Sequence, residues 1–184
     1  LMPHVQELID LLRLEAIGVN RFRGQCQDLG FKNLFGGQVL GQTLSAASQT
    51  LPEGEWAPHS LHAYFLRPGN VIDSLEFEVD CVRDGRSFAV RQITASQNGK
   101  AILTMMASFQ HPEEGFEHQD KMPDVQGPEG LASQLELTRM FKDKFPERLR
   151  DIYTADKPIE IRAIDPINIF APKKQEPIKY VWMK

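Results

Sequence analysis

The chain has 184 residues, 41% of them hydrophobic and 25% charged, with a formal net charge of -4. That length gives one domain with a real core and some excess, while acidic and basic residues are interspersed without a basic stripe, which argues against nucleic acid as a partner. Cys26 and Cys81 are too few for a disulfide framework and form no C-x-x-C pair, a usage that fits a reducing, intracellular compartment.

In chain order, the opening Leu1-Met2-Pro3-His4-Val5-Gln6-Glu7 lacks a basic stretch followed by a long apolar core, so it does not read as a signal peptide. Val5, Leu8, Ile9, Leu11 and Leu12 recur at nearly helical spacing and predict a short surface helix over residues 5–14. Residues 20–27 predict a strand anchored by Phe22. Residues 37–51 are more informative. Leu40, Leu44, Ala47 and Leu51 share one helical face, and Val39, Thr43, Ala46 and Thr50 make the other. A surface helix carries Lys and Glu on its outer side. This one carries none, so it is expected to be surrounded by protein, begun by Gly36-Gly37 and stopped by Pro52. The uncharged run 33–52 is not a membrane span, because hydrocarbon would reject Gln38, Gln42, Ser45, Ser48, Gln49 and Thr50; no membrane partner is expected.

Four strands follow. Residues 59–66 end at Arg67-Pro68-Gly69, and residues 74–82 alternate, with Leu75, Phe77, Val79 and Cys81 inward and Glu76, Glu78 and Asp80 outward. Asp84-Gly85 predicts a tight type I′ hairpin with positive φ at both central residues. Residues 87–96, a second such hairpin at Asn98-Gly99, and residues 101–110 complete the series. A strand, a buried helix and a four-strand antiparallel meander predict an α+β unit over residues 1–111, with the sheet wrapped round the helix. Residues 112–157, with Pro112, Pro123, Pro128, Pro146 and the acidic Glu113, Glu114 and Glu117, read as a linker with one weak helix between about 129 and 145. In residues 158–184, Ile159 and Ile161 alternate with Glu160 and Arg162, and residues 180–183 read as another strand. Two strands without partners make no domain, so this segment reads as the incomplete start of a second copy of the first unit.

The run Phe22-Arg23-Gly24-Gln25, then Leu34-Phe35-Gly36-Gly37-Gln38-Val39-Leu40-Gly41-Gln42, resembles the amino-terminal half of the acyl-CoA thioesterase II family. His59-Ser60-Leu61-His62-Ala63-Tyr64-Phe65-Leu66-Arg67-Pro68-Gly69, Arg83-Asp84-Gly85-Arg86-Ser87-Phe88, Gln97-Asn98-Gly99-Lys100 and Ala107-Ser108-Phe109-Gln110 extend the likeness. Pro158-Ile159-Glu160-Ile161-Arg162 and Val181-Trp182 resemble the opening of that family's second unit. The resemblance implies a double hotdog fold and hydrolysis of medium-to-long acyl-CoA to free fatty acid and CoA without a metal or other cofactor. It also implies a homo-oligomer paired through hotdog sheets, in the cytoplasm or, in a eukaryote, the peroxisome. The family's Asp, Thr and Gln, which orient and activate the attacking water, lie in the second unit. Their positions fall beyond Lys184, so the catalytic half is expected to be absent from this chain and no residue here takes those roles.

Thioester hydrolysis needs an activated water and a group that stabilises the oxyanion. Gly36-Gly37-Gln38, at the start of a buried helix, can supply the second, because free N–H groups point outward there and glycine admits a carbonyl closely. Equally, the glycines can serve only to let the helix enter a crowded sheet. His59 and His62 are three apart on a strand and fall on opposite faces, which argues against a metal site. By resemblance His59 matches a family histidine at the active cleft; a simply hydrogen-bonded histidine is the competing and favoured reading. Arg67, with Arg83, Arg86 and Arg91, suits CoA phosphates, against the plainer reading of solvated edge charges. Cys81 alternates with core residues and reads as packing, and the absence of a G-x-S-x-G elbow leaves a serine-hydrolase mechanism without support. The alternative to an acyl-CoA thioesterase is a non-catalytic hotdog unit that binds acyl-CoA or serves as an assembly surface. A dehydratase of the same fold would need a His or Asp near the central helix, and residues 36–52 contain neither.

Overall fold

The computed structural model describes residues 3–184. The reading of the opening as no signal peptide rests in part on Leu1 and Met2, which lie outside the described residues. The described residues form two compact units, one of residues 7–116 and one in which residues 117–184 pack with residues 3–6.

The unit of residues 7–116 contains the later part of helix α1 (Pro3–Leu12), strands β1 (Glu15–Gly18) and β2 (Arg21–Gly24), helix α2 (Gly36–Ser48), and strands β3 (Ala57–Phe65), β4 (Leu75–Asp84), β5 (Phe88–Gln97) and β6 (Lys100–Gln110). The strands make one antiparallel sheet in the order β1-β2-β4-β5-β6-β3. One side of it packs on α2, the α+β arrangement that the residue pattern predicts and that the resemblance names a hotdog. Alternation along β4, β5 and β6 buries Leu75, Phe77, Val79, Ala89, Ile93, Ala95, Leu103, Met105, Ala107 and Phe109. The alanines in this set leave room for a helix backbone close to the sheet, and α2 meets them with Val39, Thr43, Ala46 and Ala47.

That close approach explains a difference from expectation on α2. The buried residues are Gln38, Val39, Gln42, Thr43, Ala46 and Ala47, whereas Leu40, Leu44 and Leu51 are only partly buried. The small face takes the sheet, because a leucine face would hold the helix too far away. The uncharged outer side is covered from the α1 end. Gln42 Nε2 donates to Leu11 O (2.8 Å) and Gln25 O (2.9 Å), and Ser45 Oγ donates to Leu12 O (2.7 Å). Buried amides of this kind must find partners or cost free energy.

Other elements depart from the sequence reading. The expected strand 20–27 ends at Gly24 and is preceded by β1, whose Glu-Ala-Ile-Gly is almost wholly exposed and shows no apolar alternation. The expected four-strand meander is a three-strand meander, β4-β5-β6, with β3 crossing to the far edge beside β6. Asn98 (φ 50°) and Gly99 (φ 71°) make the expected hairpin, but neither Asp84 nor Gly85 has positive φ. There the chain pairs Asp84 with Ala89 across a wider loop, in which Gly85 N donates to Phe88 O at 2.9 Å. Gly85 is needed for that close approach: a Cβ would lie 2.7 Å from the Phe88 carbonyl oxygen.

In the other unit, α3 (Gln134–Met140) opens with a capping box, Glu136 N donating to Ser133 Oγ (3.1 Å) and Ser133 N to the Glu136 carboxylate (2.6 Å). A 3-10 turn (Lys142–Lys144) and α4 (Glu147–Thr154) follow. The helix expected between about 129 and 145 is α3, which ends at Met140, while α4, begun by Pro146 at its N-cap, is a further helix that the sequence reading did not include. Strands β7 (Ile161–Ala163) and β8 (Val181–Met183) are not partnerless as expected; they pair antiparallel, Ile161 opposite Met183. No helix among the described residues is long and apolar enough to cross a membrane.

Candidate active site

The start of α2 is the one place where the structure gathers most of the sequence-predicted site residues. Phe35, extended at φ -67° and ψ 123°, is the N-cap and offers no side-chain cap. Its carbonyl accepts from Gln38 N (3.1 Å) and Val39 N (3.3 Å). The N–H groups of Gly36 and Gly37 have no backbone acceptor among the described residues, as the first turn of a helix requires unless something caps it. Those two amides carry the positive end of the helix dipole.

What surrounds the glycines is aromatic. A Cβ on Gly37 would lie 2.5 Å from Phe35 Cε1, and one on Gly36 would lie 3.1 Å from Phe65 Cζ. The rings of Phe35 and Phe65 thus occupy the side-chain space that the glycines leave empty, yet they remain 54% and 55% exposed. Neither phenylalanine was singled out from sequence as a site residue; the signal was an apolar ring directly before a Gly-Gly helix start.

Gln38 belongs to this helix start by its backbone, but its side chain turns inward. Oε1 accepts from Gln27 N (3.2 Å), and Nε2 donates to Gln25 O (3.0 Å) and Gln42 Oε1 (3.3 Å). The carboxamide stitches the exit of β2 to α2. Its i, i+4 partner Gln42, fully buried, was the readable hint.

Arg67 lies two residues past the Phe65 end of β3, where its Nη1 donates to Ala101 O at 2.7 Å. The loop that follows is tied down. Leu34 N donates to Gly69 O (2.8 Å), and buried Gln97 accepts from Asn70 N (2.9 Å) while donating to Asn70 O (3.0 Å) and Asp73 O (2.7 Å). Asn70 and Asn98 both donate to the Asp73 carboxylate and hold its pKa below the ordinary aspartate value. Burial, with the Asp73 charge nearby, pushes the Cys26 thiol up; a hydrogen bond from Gln97 works against this. A raised thiol is a poor nucleophile, and Cys26 instead donates to Asp73 O.

His59 is elsewhere. It sits near the opposite end of β3 from Phe65, six residues or about 20 Å along the strand. Its Nε2 is 2.9 Å from Ser108 Oγ and its ring meets Phe88 edge-on. The His62 ring lies against Tyr64 at a steep tilt, with centroids 4.8 Å apart. The structure therefore groups Gly36, Gly37, Gln38 and Arg67 at one end of the unit and leaves His59 at the other. Arg91, weighed with Arg67 as a phosphate group, is 1% exposed and bonded to Thr50, Asp84 and the Arg83 carbonyl. Among the described residues no three His, Cys, Asp or Glu side chains converge as a metal site needs.

The unit of residues 117–184 has a concavity of about 850 Å³ lined by Leu137, Phe141, Phe145, Ile161, Phe170 and Val181, among others, and none of the predicted site residues borders it.

Residues 26–110 match a family model described as the acyl-CoA thioesterase N-terminal domain. Acyl-CoA thioesterase 2 of Haemophilus influenzae is 41% identical over 180 residues, 98% of this chain and 63% of the relative. Acyl-coenzyme A thioesterase 8 of Homo sapiens is 34% identical over 95% of this chain and 56% of its own length. The chain thus spans about three fifths of the curated relatives it matches. Among solved structures, acyl-CoA thioesterase II TesB2 from Mycobacterium marinum is similar with a TM-score of 0.69 and 32% identity, over 96% of this chain and 59% of that one. A hotdog-fold protein of unknown function from Alicyclobacillus acidocaldarius gives a TM-score of 0.72 at 25% identity, over 97% and 62%.

Proposed function

We infer that the chain belongs to the acyl-CoA thioesterase family, whose N-terminal domain its residues 26–110 match, and we propose that the protein hydrolyses medium-to-long acyl-CoA thioesters to free fatty acid and CoA without a metal or other cofactor. The observation that carries this reading is the unpaired pair of N–H groups at Gly36 and Gly37, at the end of a buried helix and beside two exposed phenylalanines. Attack of water on a thioester carbonyl turns its oxygen into an oxyanion, and preorganised amides stabilise that charge more than the ground-state carbonyl. Breaking the C–S bond then returns the electron pair to sulfur and releases CoA.

In this reading residues 1–184 receive the acyl group and polarise its carbonyl, while the water is activated by side chains in the part of the protein that this chain does not span. The groups nearest Gly36 and Gly37 are rings, not a base. Residues 158–184 are the opening of the second hotdog unit. His59 is structural, given its place at the far end of β3. The exposed β3 edge, with Leu61 and Tyr64 open to solvent, is where hotdog sheets pair into an oligomer. The free cysteines suit a reducing compartment, cytoplasmic or peroxisomal.

The aromatic lining also favours a second reading, a unit that binds acyl-CoA without turning it over. Thiol release from a series of acyl-CoA esters, measured for the complete gene product and for residues 1–184, separates the two. Hydrolysis by the complete product supports the thioesterase. Binding without hydrolysis in both overturns it in favour of the binding unit.

A further inference from the structure

We propose that Phe35 and Phe65 determine acyl-chain preference, by forming the wall along which the first methylenes of the substrate lie; this rests on the thioesterase reading. A Cβ position is about 2.5 Å from its own backbone nitrogen by covalent geometry. Phe35 Cε1 lies 2.5 Å from the Cβ position of Gly37, and Phe65 Cζ lies 3.1 Å from that of Gly36. Each ring edge is therefore within about 5–6 Å of an unpaired amide nitrogen. A carbonyl oxygen held by those amides carries its acyl chain one bond away, so the first few methylenes must pass against one ring or both.

The rings suit this role for a further reason. Both are more than half exposed, although they stand on well-anchored backbone. Phe35 is the N-cap whose carbonyl holds two α2 amides, and Phe65 closes a strand paired to Leu103. An exposed ring on a fixed backbone has surface left to bury, and an acyl chain gains by covering it. The contact is apolar and non-directional, so it adds affinity with each methylene covered and then levels off.

The test uses the complete gene product, with acetyl-CoA, which has no methylene to lie on the rings, and palmitoyl-CoA compared by kcat/KM. Phe35→Ala should lower the palmitoyl-to-acetyl ratio about tenfold, the effect of leaving a few methylenes uncovered, with a melting temperature close to the parent's. Phe65→Ala should lower the ratio in the same direction. Phe88→Ala, at the far end of the sheet beside His59, should leave it unchanged. If Phe35→Ala fails to fold, Phe65→Ala carries the test and is read in the same way. A ratio within about twofold of the parent in both ring variants, or an equal change in Phe88→Ala, overturns the proposal and leaves the thioesterase reading intact. Absence of thiol release from either ester by the parent overturns the thioesterase reading and this proposal with it.

Discussion

Replacing Gly37 with valine separates a chemical role for the start of α2 from a packing role. The new Cβ would fall 2.5 Å from Phe35 Cε1, so the ring must swing away. It is already 54% exposed, and less than half of its surface can be lost. At about 25 cal/mol per Å² that costs on the order of 1 kcal/mol. Removing a helical glycine returns a few tenths of a kcal/mol. The net loss is below about 1 kcal/mol, a melting shift of a few degrees. The amide of residue 37 survives, but the displaced ring and the valine methyls stand where a carbonyl would approach it. If that amide is an oxyanion donor, kcat/KM should fall about 10²-fold, near 2.7 kcal/mol. The measurements are melting temperature and thiol release from one acyl-CoA by Gly37→Val in the complete gene product. A folded variant within about threefold of the parent, ~0.7 kcal/mol, refutes the oxyanion role.

Three other outcomes are expected. Asp84→Ala removes the carboxylate 2.5 Å from the buried Arg91 guanidinium but leaves Thr50 and the Arg83 carbonyl, and with Asp84 itself 63% exposed it should cost about 1–2 kcal/mol, whereas Arg91→Met keeps the volume and should cost less; urea denaturation showing the reverse order would contradict this. Asp73 has a depressed pKa, so its stabilising contribution is present above the ordinary aspartate range and is lost as pH falls through the folded value. The urea midpoint of the parent should therefore drop more steeply on acidification than that of Asp73→Asn, and parallel curves would show that the Asn70 and Asn98 bonds do not favour the charged form. His59→Gln should leave turnover within about twofold while lowering the melting temperature slightly; a thermally normal variant with a roughly 10²–10⁴-fold rate loss would restore the histidine to the chemistry.

The sheet was legible where each strand had one buried and one exposed face. Leu75, Phe77 and Val79 alternate with Glu76, Glu78 and Asp80, and the strand follows directly. The edges were less legible. β1 buries almost nothing, and β3 is exposed along nearly its whole length, so neither carries a pattern that says which neighbour it takes. The central helix was found from its lack of charge, but its inward face was not. Leucines look like core until the sheet beneath proves to hold Ala89, Ala95 and Ala107. At the site, Gly36-Gly37 announced a helix start, while the commitment of the Gln38 side chain to Gln25 and Gln27 depends on a loop fold that no local pattern encodes. Nor does strand spacing reveal that His59 ends up far from the glycines.

The most direct test is whether the amides of Gly36 and Gly37 meet the acyl carbonyl. Amide chemical shifts of the isotopically labelled complete gene product would be followed while adding a palmitoyl-CoA analogue in which a methylene replaces the thioester sulfur, leaving a ketone that cannot be hydrolysed. Acceptance of these N–H bonds by the ketone oxygen predicts that Gly36 and Gly37 shift downfield, saturably and more than the amides around His59. Saturable binding that leaves both glycine amides unmoved would contradict the oxyanion role on which the thioesterase mechanism rests.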